Sequence, residues 1–120
     1  MSAIDDAAAA LTAALRAVDG VRHYAEPDAA AAVDPPATVL GWPALTWEAL
    51  PYAPTSGRWL VYLVVPVNDR AQSRLFELVP IVTAAIDNVT NAVVIRADPG
   101  AFDAGGTPLP CYEIQVDVSL

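Results

Sequence analysis

The chain has 120 residues, 55% of them hydrophobic and 17% charged, and its fourteen acids against six basic residues give a net charge of -8. This length makes one domain, able to bury about two-thirds of the surface its unfolded form exposes. The acidity excludes broad attachment to nucleic-acid phosphates. The single cysteine excludes an internal disulfide and a multi-cysteine metal site. The longest strongly apolar run, residues 59–67, is far too short to span a bilayer. The start has no basic region before its alanines, so no secretory leader is expected, and a soluble protein made in a cytoplasm is.

Ser2 with Asp5 three residues later resembles a capping box, and Ile4, Ala8, Leu11, Leu15 and Val18 recur at helical spacing up to Gly20. A first amphipathic helix follows from this. Residues 21–24 fit a short strand, the alanine and proline-rich stretch 27–36 a loop that can hold a helical turn, and 38–42 a second strand. From Pro43 to Gly57 the chain passes four punctuating residues, Pro43, Pro51, Pro54 and Gly57, with Trp47 and Tyr52 between them. That composition predicts a projecting arm over 43–57.

Residues 59–67, WLVYLVVPV, are apolar on both faces, which predicts a central strand covered on both sides. Asn68 or Asp69 is placed to cap a second helix with Leu75, Leu78, Val79, Val82 and Ile86 buried and Gln72 and Thr83 outward. Pro80 predicts a kink or a split in it near residues 76–80. Residues 92–96 read as a strand, 98–110 as a loop punctuated by Pro99, Gly105 and Gly106, and 111–120 as a closing strand. There Tyr112, Ile114, Val116 and Val118 face one way and Glu113 and Asp117 the other. The whole predicts a single α+β domain over 1–120, with a mostly antiparallel sheet of about four to five strands packed with two main helices.

Reactive chemistry is sparse. His23 is the only histidine, and a histidine in a short strand is more often a hydrogen-bonded structural residue than a metal ligand or base. Cys111 reads as a small buried hydrophobe. Asp98, Asp103, Glu113 and Asp117 are close in sequence, but Glu113 and Asp117 stand about 13 Å apart along one strand face, too far to share a metal directly. Gly105–Gly106 is a turn and no phosphate loop, since no lysine is available. No catalytic residue, metal site or cofactor is expected.

All six basic residues are arginines, which suits planar ion pairs at contacts, though a coding bias explains it equally. Arg70 and Arg74 with Glu77 decorate one face of the second helix. Trp42, Trp47 and Trp59 are core or contact anchors before they are base-stacking platforms, because the surroundings are acidic.

Three stretches, PPATVLGWPALTWEALP, WLVYLVVPVNDRAQSRLFELV and GGTPLPCYEIQVDVSL, resemble in order and pattern the tail terminator proteins of long-tailed phages, particularly those of actinobacteria. NDRAQ at the helix start is the most distinctive piece. The proline-rich YAPTSGRW and Pro80 depart from the family pattern, so contacts carried there do not transfer. The resemblance implies a subunit of a homohexameric ring on the head-proximal end of the tail tube. Such a ring stops tube polymerisation and meets the head connector or stopper protein, and it sits in the neck region of a virion assembled in the host cytoplasm. Its partners would be copies of itself, the tube protein and the connector, with DNA passing through unbound and no membrane.

Arg58, Arg70, Arg74, Trp47 and Phe102 are then the candidate subunit interface, and Glu113 and Asp117 the candidate channel-facing acids. A second neck protein, such as a stopper or head-tail joining protein, shares these expectations. A small acidic hydrolase requires the carboxylates near the C-terminus to converge in one pocket.

Overall fold

A computed structural model of the chain describes residues 2–25, 33–48 and 53–120. Among them are two helices, α1 (Ala3–Arg16) and α2 (Ala71–Asp87), and six strands: β1 (Arg22–Ala25), β2 (Ala37–Leu40), β3 (Ala44–Thr46), β4 (Ser56–Val64), β5 (Ala92–Ala104) and β6 (Thr107–Ser119). The sheet runs β1-β2-β4-β6-β5, with β3 also against β4. Only β1 and β2 run parallel; every other pair is antiparallel. The α+β class is as expected, with slightly more strands. None of the described helices is long and apolar enough to cross a membrane.

Local chemistry explains the first helix. The Asp5 amide donates to Ser2 Oγ at 3.1 Å, which satisfies one of the free N–H groups of the first turn. Asp5 and Asp6 at its start and Arg16 at its end complement the helix dipole. Leu11 and Leu15 are fully buried against the sheet.

In α2 the buried stripe is Leu75, Leu78, Val82 and Ile86, with Val79 packed at its margin. The helix runs unbroken through Pro80, contrary to the expected split. Proline withdraws one N–H from the carbonyl four residues back, but the stripe continues on both sides of it, and burial of those four residues outweighs one lost bond. Neither expected cap closes the start in the usual way. The Asn68 side chain accepts from the Arg70 amide at 2.8 Å, and Arg70 stands at the cap position with no side-chain bond of its own.

Both helices cover one face of the sheet. There Trp59, Val61 and Leu63 of β4 lie opposite Val116, Ile114 and Tyr112 of β6, and all but Tyr112 are buried. Directly opposed residues share a face, so the alternation read from the closing strand is the alternation of the core. On the other face no described helix lies over β4, although Ala37, Val39, Val64 and Cys111 are buried there and Leu60 and Tyr62 half-buried. The strand is thus apolar on both faces, while the helices cover one.

Two expectations need correction. Within the projecting arm expected over 43–57, the described ends belong to the sheet: β3 pairs with Ser56–Arg58, and the Thr55 amide donates to the Thr46 carbonyl at 2.8 Å. The residues at 49–52, and the helical turn expected within 27–36 where it covers 27–32, lie outside the described residues. Residues 98–110 are not a loop. They continue β5 and β6 into a hairpin whose pairing persists to Ala104 opposite Thr107. Gly105 and Gly106 take φ of +60° and +89° at the turn, the left-handed conformations that a tight two-residue connection needs.

Candidate subunit-docking surfaces

The hairpin outruns the sheet. Strand β4 ends at Val64 opposite Cys111, so the pairs from Ala101↔Pro110 to Ala104↔Thr107 have no third strand beside them. They form a two-stranded arm. A proline inside a ladder must turn its missing N–H away from its partner. Pro108 and Pro110 therefore face the edge that β4 vacates, where the Pro110 carbonyl accepts from the Val65 amide at 3.1 Å. Pro99, opposite Tyr112, blocks the outer edge of β5. The arm is closed to strand addition at these points and presents side chains and a tip.

Aromatic pairs brace its root on both sides. Phe102 meets Tyr62 with ring centroids 5.3 Å apart on the open face, and Phe76 of α2 meets Tyr112 at 6.4 Å on the helix face. Phe102, a candidate contact residue, is thus a half-buried brace. At the tip, Asp103 Oδ1 accepts from the Gly106 amide at 2.8 Å, which ties the turn.

The open face of β4, β5 and β6 is an alternation of charge. Arg58 lies opposite Asp117 and grips it with two bonds of 2.7 and 3.1 Å. The hydrogen bond from Arg58 holds the Asp117 carboxyl below its ordinary range, and the same bond raises the guanidinium. Arg96 holds Asp98 at 2.8 Å, and Asp98 lies opposite Glu113, which rests over Gly100. A Cβ at Gly100 would stand 2.9 Å from the Glu113 carboxylate.

The two candidate channel acids therefore share a face but differ in state. Asp117 is compensated within its own chain, and among the described residues Glu113 has no ion-pair partner. Burial first, and the Glu113 charge second, push the Cys111 thiol up to about 11, so it stays protonated and unreactive at neutral pH.

On α2, Arg74 pairs with Glu77 at 3.2 Å, whereas Arg70 has no ion-pair partner among the described residues. Two cations in a first turn that carries no acid work against the helix dipole. Trp47 is 50% exposed and Trp42 78% exposed, while Trp59 is 1% exposed. The three tryptophans divide into one core residue and two surface ones.

Trp59 owes its seat to Gly57. A Cβ on Gly57 would stand 2.5 Å from the indole ring. Sequence reasoning read Gly57 as punctuation, and the Gly-x-Trp spacing on one strand face was the available signal.

A second surface was not anticipated. Ala8, Thr12 and Arg16, four residues apart along α1, border a groove of about 220 Å³ whose far side is His23 and Ala25 of β1, Leu40, and the bend Gly41–Trp42–Pro43, with Trp59 at its floor. The spacing 8, 12, 16 beside the buried Leu11 and Leu15 was the sequence signal. The bend itself comes from register: β2 and β3 follow the same edge of β4 with one extra residue between them, as in a bulge. His23 Nδ1 lies 2.9 Å from the hydroxyl of the fully buried Thr38. Burial, and then the Arg16 charge, lower the His23 pKa below 6.5.

Among the described residues no three His, Cys, Asp or Glu side chains are placed to hold a metal. The four acids near the C-terminus do not converge: Asp117, Asp98 and Asp103 are each engaged by a different group. Comparison with protein-family models and with curated proteins finds no match.

Proposed function

We propose that this chain is a structural virion protein that closes into a six-fold ring on the head-proximal end of a phage tail tube, stops tube polymerisation and joins the tube to the head connector. The observation that carries the reading is the braced arm of β5 and β6. It is a rigid projection, protected at its proline edges, that extends from a fully formed domain and contributes little to that domain's core. Such an element suits contact with another subunit. Trp42, Trp47 and Phe76, exposed at 78%, 50% and 56%, add apolar surface for the same use. Catalysis has no part in this reading, because three of the four carboxylates it would need, Asp98, Asp103 and Asp117, are each engaged by a different group.

The sheet's open face suits a wall past which DNA slides. Three carboxylates, Asp98, Glu113 and Asp117, stand there against Arg58 and Arg96, so each subunit adds a surplus of one negative charge from Glu113. Phosphates find no array of free cations to bind.

The test is electron microscopy of tails assembled without this protein. Overlong tubes support the reading. Tails of normal length that lack heads would replace it with a neck protein docking on the connector, and normal joined particles would overturn it.

A further inference from the structure

The arm projects past the end of β4 beside β5, and the Arg16 groove lies across the sheet beside β1 and β2. Along β6 the groove spans the level of Val116, the partner of Trp59, to that of Tyr112, which His23 reaches through Thr38 and Leu63, while the tip is level with Thr107. Five to nine residues of strand, about 17–30 Å, and the three strand spacings from β6 to β1 separate them, so the arm, which runs straight on from the sheet, does not fold back to the groove of its own chain. A contact between the two is between copies, and because it joins unlike surfaces it is head-to-tail, the kind that builds a ring when its rotation closes.

Charge matches the two surfaces. The chain carries six arginines, and Arg22, Arg58, Arg74 and Arg96 each pair with an acid of their own chain. Arg16 does not. Among the described residues it has no ion-pair partner, in a strongly acidic protein, and it lines the groove together with the exposed Trp42 and Pro43.

The tip carries Asp103. One of its oxygens is engaged by the Gly106 amide, and among the described residues the carboxylate has no ion-pair partner. Its strand neighbours on the same face, Ala101, Pro108 and Pro110, are small or apolar. The turn is two glycines, slim enough to enter a shallow groove. Proline excludes strand addition at Pro99, Pro108 and Pro110, so docking proceeds through the tip.

We infer that the β5–β6 arm tip of one copy docks into the Arg16–Trp42 groove of the next, with Asp103 meeting Arg16. This rests on the ring reading for its place in the particle, but the contact itself is a property of the isolated chain.

Sedimentation velocity and native mass spectrometry of the purified protein test it. The wild type self-associates, and rising salt weakens the association. Arg16→Glu and Asp103→Arg each weaken it about tenfold or more, and the double variant Arg16→Glu/Asp103→Arg recovers most of the loss, as expected for a close charge pair. Asp103→Asn, which keeps an oxygen for the Gly106 amide and so preserves the turn, weakens association as well.

A wild type that stays monomeric at every concentration overturns the inference. So do single variants that associate like the wild type, and a folded double variant that fails to recover. Tail length measured with the same variants separates this inference from the ring reading. Tubes of normal length made with an Arg16→Glu protein that associates normally discard the contact and keep the terminator, whereas tubes indifferent to the protein's absence discard the terminator.

Discussion

Strand β6 passes through two environments without a break in its ladder. From Cys111 to Val118 it lies between β4 and β5, with alternate residues buried under the helices. From Thr107 to Leu109 its strand partner is β5 alone, and Pro110 adds only the bond from the Val65 amide. The hydrogen bonds to β5 are of the same kind in both halves, so pairing does not distinguish them. Burial does. An isolated hairpin is marginal in water, and the outer half is held by local devices: a glycine turn, an aspartate tying that turn, prolines guarding the edges and an aromatic pair on each side of the root. The inner half is held by the core. Changes in the inner half should therefore threaten the whole fold, and changes in the outer half only the arm.

The largest expected effect is at Leu63, fully buried opposite Tyr112. Leu63→Asp removes packing and strands a charge in the core, a loss of roughly 4 kcal/mol or more. The far-ultraviolet circular dichroism of a folded protein should be absent, and a variant melting like the wild type would contradict the placement of β4.

Gly57→Ala comes next. The added methyl meets the Trp59 ring, which is itself buried and has little room to shift, at a cost of about 1–3 kcal/mol from overpacking. Thermal melts should show a lower midpoint with native spectra.

At the arm's tip, Gly106→Ala meets no atom within 4 Å, and only its φ of +89° opposes it. About 1 kcal/mol of strain is expected. Amide exchange should quicken around residues 103–107 and remain unchanged in Val61 and Ile114; equal quickening in both places would erase the distinction between arm and body.

The smallest effect is a pH dependence through His23. Its folded pKa is lowered by burial and by Arg16, so below pH 6.5 the unfolded chain takes up the proton first. The stability this group contributes is whole above 6.5 and is lost as pH falls through the lower folded value. Denaturant midpoints measured from pH 7.5 downward should decline for the wild type more steeply than for His23→Gln.

Much of the body was legible from local pattern. The Ser2 cap, the stripes of α1 and α2, the two-faced apolar character of β4 and the alternation after Cys111 all depend on residues near one another in sequence, and a helix or strand period displays them directly. The arm was not legible, because Pro99, Pro108 and Pro110 speak against a strand wherever every N–H is needed. At the edge of a two-stranded ribbon those N–H groups have no partner to lose, and the prolines fit. Pro80 misled in a similar way, since one missing bond is small against a buried stripe that continues past it.

The candidate sites divide along the same line. Sequence alone placed Glu113 and Asp117 on the face away from Tyr112, because a strand's period of two decides that by itself. It did not show that Asp117 is held by Arg58, 59 residues away, while Glu113 is not. Nor did it show that Arg16 and Trp42 share a groove or that Phe102 braces an arm. Those relations depend on register between strands and on which helix lies over which pair, and they arise only when distant segments pack. Composition made the chain acidic with few cations; tertiary structure decided which of those cations pair with acids of their own chain.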